Sequence, residues 1–186
     1  KALEFMLKRF KEGYPDPNAD YTAAGQIFMN GDAAIEMNGT WVVDQYNKEL
    51  PFDYRAMNFP NIMGQKKVWA NSHMWVIPKQ GKKQQQYEAA MEFCKFLSNH
   101  VYEWAAGSGH IAPRKSVLKK LGEDNIPQRA NYAETASNAV TFPPVISYSN
   151  IETIIKEEIE KTWLLDKSVD SVLNQAQKRI EAVLNN

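Results

Sequence analysis

The chain has a single cysteine among its 186 residues, so an internal disulfide is excluded. Cys94 sits among Met91, Phe93 and Leu97, a setting that reads as a small core hydrophobe, and one lone thiol suits a reducing or an oxidising compartment alike. An excess of either charge is also missing. The 22 basic residues match 22 acidic ones, which removes the electrostatic footprint of a nucleic-acid or anionic-membrane partner. No apolar run approaches the roughly 18 residues that a membrane span needs. The histidines are only three, His73, His100 and His110, and none has an i, i+4 partner. With one cysteine beside them they make no metal site, and no metal is expected. The stretch "GSGHIAP" lacks the G-x-G-x-x-G spacing and a preceding strand, so no phosphate cradle and no cofactor is called for. A G-x-S-x-G nucleophile elbow is absent as well. There is no initiator methionine: "KALEFMLKRF" already has helical spacing, which leads to the expectation that the chain starts inside a longer protein.

What is present is a globular composition, 44% hydrophobic, long enough for one large domain or two small ones. Apolar residues from Ala2 to Phe10 predict a helix ended by "GYPDPN". Thr22 is expected to cap a short helix reaching the Asn30-Gly31 turn, and Thr40 to cap another through "WVVDQYNKEL". Between them "AAIEM" alternates as a half-buried strand does, and Tyr54 to Phe59 and Met74 to Ile77 are further strand candidates. Trp75 reads as a strand residue packed on a core, and Trp69 is divided between that reading and a binding role. "KQQQYEAAMEFCKFLSN" predicts a helix with Tyr87, Ala90, Met91, Cys94 and Leu97 on one face, followed by a short helix over Val101 to Ala106. After an extended loop held by Pro143-Pro144, two helices close the chain, one capped by Ser149 or Asn150 and one by Ser168. Short strands among many helices give an α/β class in which helix dominates.

Catalytic constellations are poor. Glycoside hydrolysis needs two carboxyl groups about 5 to 10 Å apart, whereas Asp32 and Glu36, four strand steps apart, would stand roughly 13 Å apart. Asp124, Glu134 and the cluster "KEEIEK" read as solvated faces. The triplet Asn38-Gly39-Thr40 matches a glycosylation acceptor but reads better as a turn and helix cap. What stands out is a supply of polar and aromatic groups at element ends, where binding residues gather: Trp41, Trp69, Asn71, Ser72, His73, Trp75, His110, Arg114 and Tyr148. Trp41 is the most pointed of these. At the first turn of a helix it can lie across a cleft, beside amides that donate to hydroxyls or anions. A sugar ring offers an apolar C–H face and a hydroxyl edge, so an indole plane suits the first and amide or charged groups the second.

The stretch "IFMNGDAAIEMNGTW" resembles the segment of extracellular solute-binding proteins of bacterial carbohydrate ABC transporters, the maltose-binding-protein-like class, in which a helix and a strand of small and apolar residues lead to Gly-x-Trp. "MWVIPKQGKKQQQYEAAMEFCKFLSNHVYEWAAGSGHIAPRKSVL" resembles their crossing strand, alanine-rich helix and Gly-x-x-Pro loop, and "SVDSVLNQAQKRI" their final helix. The resemblance runs from about Tyr21 to Ile180. It departs at Asn71-Ser72, where many relatives carry paired glycines. It implies a type II periplasmic-binding-protein-like fold and the C-terminal portion of a two-lobed protein. About 1–72 and 108–186 would form the second lobe, and about 74–107 a segment crossing to the first. The missing front would carry most of the first lobe and a signal or lipid anchor, with the whole protein in the periplasm or on the extracellular face of the membrane. The implied role is non-enzymatic: a sugar or oligosaccharide is bound between the lobes and delivered to the ABC permease. The ligand-binding residues would be Gly39, Thr40, Trp41, Asn71, Ser72, His73, Gly109, His110, Arg114 and Tyr148. The apolar face of 84–106, with Trp104, is expected to repack on the chain's own core or to bury itself in a homodimer. A glycan-processing hydrolase fragment and a protein-interaction module are the competing readings.

Overall fold

The computed structural model describes residues 1–79 and 84–185. In chain order the elements are α1 (Ala2–Lys11), α2 (Tyr21–Met29), a 3₁₀ turn (Thr40–Val42) running into α3 (Val43–Glu49), and β1 (Val68–Trp69). Then come α4 (Gln84–Asn99), α5 (Val101–Ser108), α6 (Lys115–Glu123), α7 (Arg129–Tyr132) with a 3₁₀ stretch (Ala133–Asn138), β2 (Ala139–Val140), α8 (Tyr148–Leu164) and α9 (Val169–Leu184). The chain divides into two units, Lys1–Ile27 with Pro143–Asn186, and Phe28–Phe142.

The first unit is built on a helical hairpin. Ile154, Glu158 and Thr162 are buried along α8 at i, i+4 and i+8, one face of a helix, and Val172 and Ala176 are buried on α9. The four-residue link ends at Ser168, whose Oγ accepts the Ser171 N–H at 3.3 Å as the expected cap. α8 itself starts earlier than expected, after Ser147, with no side-chain cap. α1 buries Leu3, and its Phe10 ring stacks on Trp163 with centroids 4.3 Å apart. At the head of α2, Asp20 accepts the Ala23 N–H at 2.8 Å, so Asp20 is the cap and Thr22 lies inside the helix.

Glu158 corrects the reading of "KEEIEK" as a solvated face. It is only 2% exposed, and its carboxylate accepts from Lys161 Nζ at 2.8 Å and from Arg179 on α9 at 2.7 Å. A buried charge persists only when paired this way. The Lys161 and Arg179 hydrogen bonds hold the Glu158 carboxyl below the usual carboxylate range.

In the second unit the aromatic residues Phe28, Tyr46, Phe52 and Tyr54 pack together, with Phe28–Tyr46 centroids at 5.5 Å and Tyr46–Tyr54 at 6.0 Å edge to face. A separate core joins α5 and α6 through Ala105, Ala112 and Leu121, with Tyr102, Val117, Leu118 and Ile126 against it. The only sheet among the described residues pairs β1 with β2 in parallel, Val68 opposite Ala139. The three sequence-expected strands are therefore corrected. Ala33 to Met37 and Met74 to Ile77 run without ladder partners and leave Ile35, Met37, Met74 and Val76 exposed. Tyr54 to Phe59 is extended, but a side chain takes the place of a neighbouring strand: Gln128 donates to the Tyr54 carbonyl at 2.8 Å and accepts the Ala56 N–H at 2.9 Å. Strand patterning in the sequence cannot tell a ladder from such a side-chain clamp. Trp69 and Trp75 are likewise not core residues. Both are exposed, and Trp69 lies against Phe142 with centroids 4.8 Å apart.

α4 also departs from expectation. It buries none of its residues; Cys94 is half-buried, and Met91, Phe93 and Phe96 are exposed. On the expected face Tyr87, Ala90, Cys94 and Leu97 are half-buried and Met91 is exposed, while Phe93 and Phe96 lie outside it. Among the described residues no helix is long and apolar enough to cross a membrane.

Candidate ligand site

Gly39 has an extended backbone and opens the 3₁₀ turn that carries Trp41. The expected Thr40 cap is not formed; Asn38 Oδ1 instead accepts the Gly39 N–H at 2.7 Å, fixing the entry to the turn. The indole of Trp41 folds back so closely over Gly39 that a Cβ there would overlap three of its ring carbons. Glycine leaves the ring its place by space, not by dihedral angle, and a Cβ here would displace the indole. The consequence is an indole held against backbone yet 54% exposed, one face packed and the rest open to solvent.

One ring beside it comes from the loop after α5. His110 lies 6.4 Å from Trp41, centroid to centroid, and 4.7 Å from Trp104 with the planes 31° apart. His73 meets the same imidazole edge to face at 5.1 Å. Three rings thus converge on His110. Two glycine constraints bring them together, because α5 ends on Gly109 in the left-handed region, φ 80°, directly against the Thr40 carbonyl oxygen. A Cβ at Gly109 would overlap that oxygen, so the close approach of the two backbones exists only with glycine.

A buried pair locks the loop from behind. Arg129, 6% exposed, donates to the Ala106 carbonyl and to the Tyr132 hydroxyl, each at 2.8 Å, and Tyr132 in turn donates to the Gly109 carbonyl at 2.6 Å. A cation on the last carbonyls of α5 complements the helix dipole. Burial raises the Tyr132 hydroxyl above its ordinary range, so it stays a donor at every physiological pH. His110 moves in the opposite direction: burial, then the neighbouring charges of His73 and Arg129, lower its proton affinity.

Of the ten sequence-derived candidates, the structure joins Gly39, Thr40, Trp41, Gly109, His110 and His73. Asn71 and Ser72 adjoin His73 in an exposed turn, where Asn71 Oδ1 accepts the Ser72 N–H at 2.8 Å. Arg114 lies outside the group of rings, its guanidinium donating to Ser98 on α4 at 2.6 Å. Tyr148 opens α8 in the other unit. The sequence reading missed Trp104 as a partner of His110, having placed it on the apolar face of the segment 84–106. The signal was local: "WAAGSGH" links the two aromatics through small residues whose last glycine turns the chain back. Arg129 and Tyr132 gave no such signal, for the 19 residues between Gly109 and Arg129 hide their contact. Glu36 is engaged elsewhere, accepting from the Tyr46 hydroxyl at 2.6 Å and from Asn38 at 2.8 Å. Among the described residues no three His, Cys, Asp or Glu side chains gather closely enough to hold a metal ion.

The profile of the bacterial extracellular solute-binding proteins matches residues 2–134. The chain belongs to that family. Among the relatives of this solute-binding chain is the sn-glycerol-3-phosphate-binding periplasmic protein UgpB of Escherichia coli (strain K12), 24% identical over 197 residues, covering 95% of this chain and 43% of that one. The protein of the same name from Yersinia pestis is 23% identical over 177 residues, 84% of this chain and 39% of its own length. The solute-binding chain thus spans about two fifths of the length of these curated relatives.

Proposed function

We propose that this chain is the solute-recognising part of a non-catalytic binding protein that works in the periplasm or on the extracellular face of the membrane, taking up a sugar or sugar-like polyol for an ABC importer. The observation that carries the reading is the indole of Trp41, half open to solvent and propped on Gly39 beside His110 and Trp104. Such a plane accepts the C–H face of a pyranose, and His73, which meets the His110 ring, with its exposed chain neighbours Asn71 and Ser72, offers polar groups for the hydroxyl edge.

The finer parts of the proposal are a type II periplasmic-binding-protein fold, in which 1–72 and 108–186 belong to one lobe and 74–107 crosses to the other. Its partners are a carbohydrate, the permease subunits and, through the 84–106 face, a second copy of the chain. The exposed Met91, Phe93 and Phe96 of α4 support a partner there. Titration calorimetry of the full-length protein against mono- and oligosaccharides and glycerol 3-phosphate tests the function. A saccharide or polyol is expected to bind, and Trp41→Ala to weaken that binding ten- to a hundredfold. Affinity indifferent to Trp41 defeats the proposal.

A further inference from the structure

The turn that carries Trp41 and the loop that carries His110 are both held by one short segment, Gln128 to Tyr132, which is α7 with its N-cap residue. On the His110 side the hold is direct. Tyr132, 4% exposed, donates its hydroxyl proton to the Gly109 carbonyl at 2.6 Å, and Arg129 donates to the Ala106 carbonyl on α5. On the Trp41 side it runs through Tyr54. Gln128 donates to the Tyr54 carbonyl at 2.8 Å and accepts the Ala56 N–H at 2.9 Å. The Tyr54 hydroxyl proton is in turn shared between the Val43 carbonyl, at 3.1 Å, and Asn47 Oδ1, at 2.8 Å. Val43 opens α3 directly after the turn of Trp41. The two holds meet at one backbone crossing, because a Cβ built on Gly109 would lie 3.3 Å from that of Val43 as well as against the Thr40 carbonyl.

Gln128 is bent for this task. Its backbone lies in the left-handed region, φ 66°, which glycine takes freely and a glutamine rarely adopts. Such a residue persists where its surroundings over-determine it. Besides its two bonds to the 54–56 segment, Gln128 Oε1 accepts from Asn131 Nδ2 at 2.8 Å. Burial pushes the Tyr54 hydroxyl up to about 12, so this donor, like that of Tyr132, is present throughout the physiological range. Arg129 and Tyr132 are buried, and they reach a solute only through the backbones they hold.

We propose that Gln128 and Tyr132 are positioning residues of the solute site: they fix the crossing of the Thr40–Val43 and Gly109 backbones, and with it the 6.4 Å between the Trp41 and His110 rings, without touching the solute. The inference rests on the solute-binding reading of Trp41 and adds the element that sets its geometry. When either hold is lost the rings are free to part. A solute must then order them as it binds, which lowers affinity although every group facing it is kept.

The test labels the full-length protein with 5-fluorotryptophan, assigns the fluorine signals by Trp41→Phe and Trp104→Phe, and adds titration calorimetry against maltose and glycerol 3-phosphate. Tyr132→Phe and Tyr54→Phe each remove one hydroxyl and keep the ring, and Gln128→Ala removes the clamp. Tyr132→Phe is expected to displace the signals of Trp41 and Trp104 together, since His110 contacts both. Tyr54→Phe and Gln128→Ala are expected to displace that of Trp41 alone. Each variant should bind the tighter probe about tenfold more weakly at a temperature well below its melting point. Ser168→Ala, which loosens α9 in the other unit, is the stability control and should change neither signal nor affinity. Affinity unchanged in Tyr132→Phe and Gln128→Ala, or weakened as much by Ser168→Ala, overturns this inference and leaves the Trp41 reading standing. Affinity indifferent to Trp41→Ala, or failure of both probes to bind, overturns both.

Discussion

At the scale of single residues, two glycines decide whether the aromatic group exists, and for different reasons. Gly39 leaves room for a side chain, the Trp41 indole, which can swing away. Gly39→Ala is therefore expected to keep the fold but displace the ring, seen as a shift in tryptophan emission and a solute affinity reduced about tenfold. Gly109 faces backbone, the Thr40 carbonyl, and has a positive φ besides. Neither can yield, so Gly109→Ala is expected to cost about 2–3 kcal/mol in a denaturant titration. Trp41→Ala should leave stability almost unchanged, since the ring is 54% exposed. Its effect belongs to binding: covering about 100 Å² of apolar surface contributes on the order of 2 kcal/mol, a factor of about 30 in Kd.

At the scale of elements, the α8–α9 hairpin and the α5 terminus use charge in contrasting ways. In the hairpin, Glu158 has a folded-state proton affinity below its unfolded one. Its contribution is complete above the ordinary glutamate range and is lost as the pH falls below about 4. Glu158→Gln removes that acid limb from the stability profile and costs about 1–2 kcal/mol at neutral pH, the partial exposure of Arg179 and Lys161 limiting the loss. Ser168→Ala, which deletes the cap of α9, is expected to cost about 1 kcal/mol. His110 also binds protons less readily folded than unfolded. Acidification below the ordinary histidine value therefore weakens the second unit, a trend that melting curves between pH 7 and pH 5 check and that His110→Gln should reduce.

At the scale of the molecule, each unit has its own core, the α8–α9 hairpin with α1 in one and the aromatic and α5–α6 clusters in the other. α4 has no fully buried residue and leaves Met91, Phe93 and Phe96 exposed. Sedimentation velocity is expected to detect concentration-dependent self-association of this chain, and Phe93→Ser with Phe96→Ser to reduce it. A species that stays monomeric at every concentration would remove the second copy from the proposed partners.

Helices were legible in the sequence because their apolar spacing is local: α1, α4, α5 and α9 lie where the periodicity puts them, and Ser168 caps α9. So was the position of Trp41 at a turn after Gly39. The strands were not legible, because alternation marks a residue's surroundings and says nothing of which partner satisfies its backbone. At Tyr54 to Ala56 the partner is the Gln128 side chain, more than 70 residues away. Nor could the sequence separate a solvated glutamate from Glu158, or join Trp104, His110, Arg129 and Tyr132 behind one left-handed glycine. Local spacing is fixed by bond geometry and read along the chain. The pairing of donors, charges and rings is fixed by contacts between distant segments, and only the folded chain brings those segments within hydrogen-bonding reach.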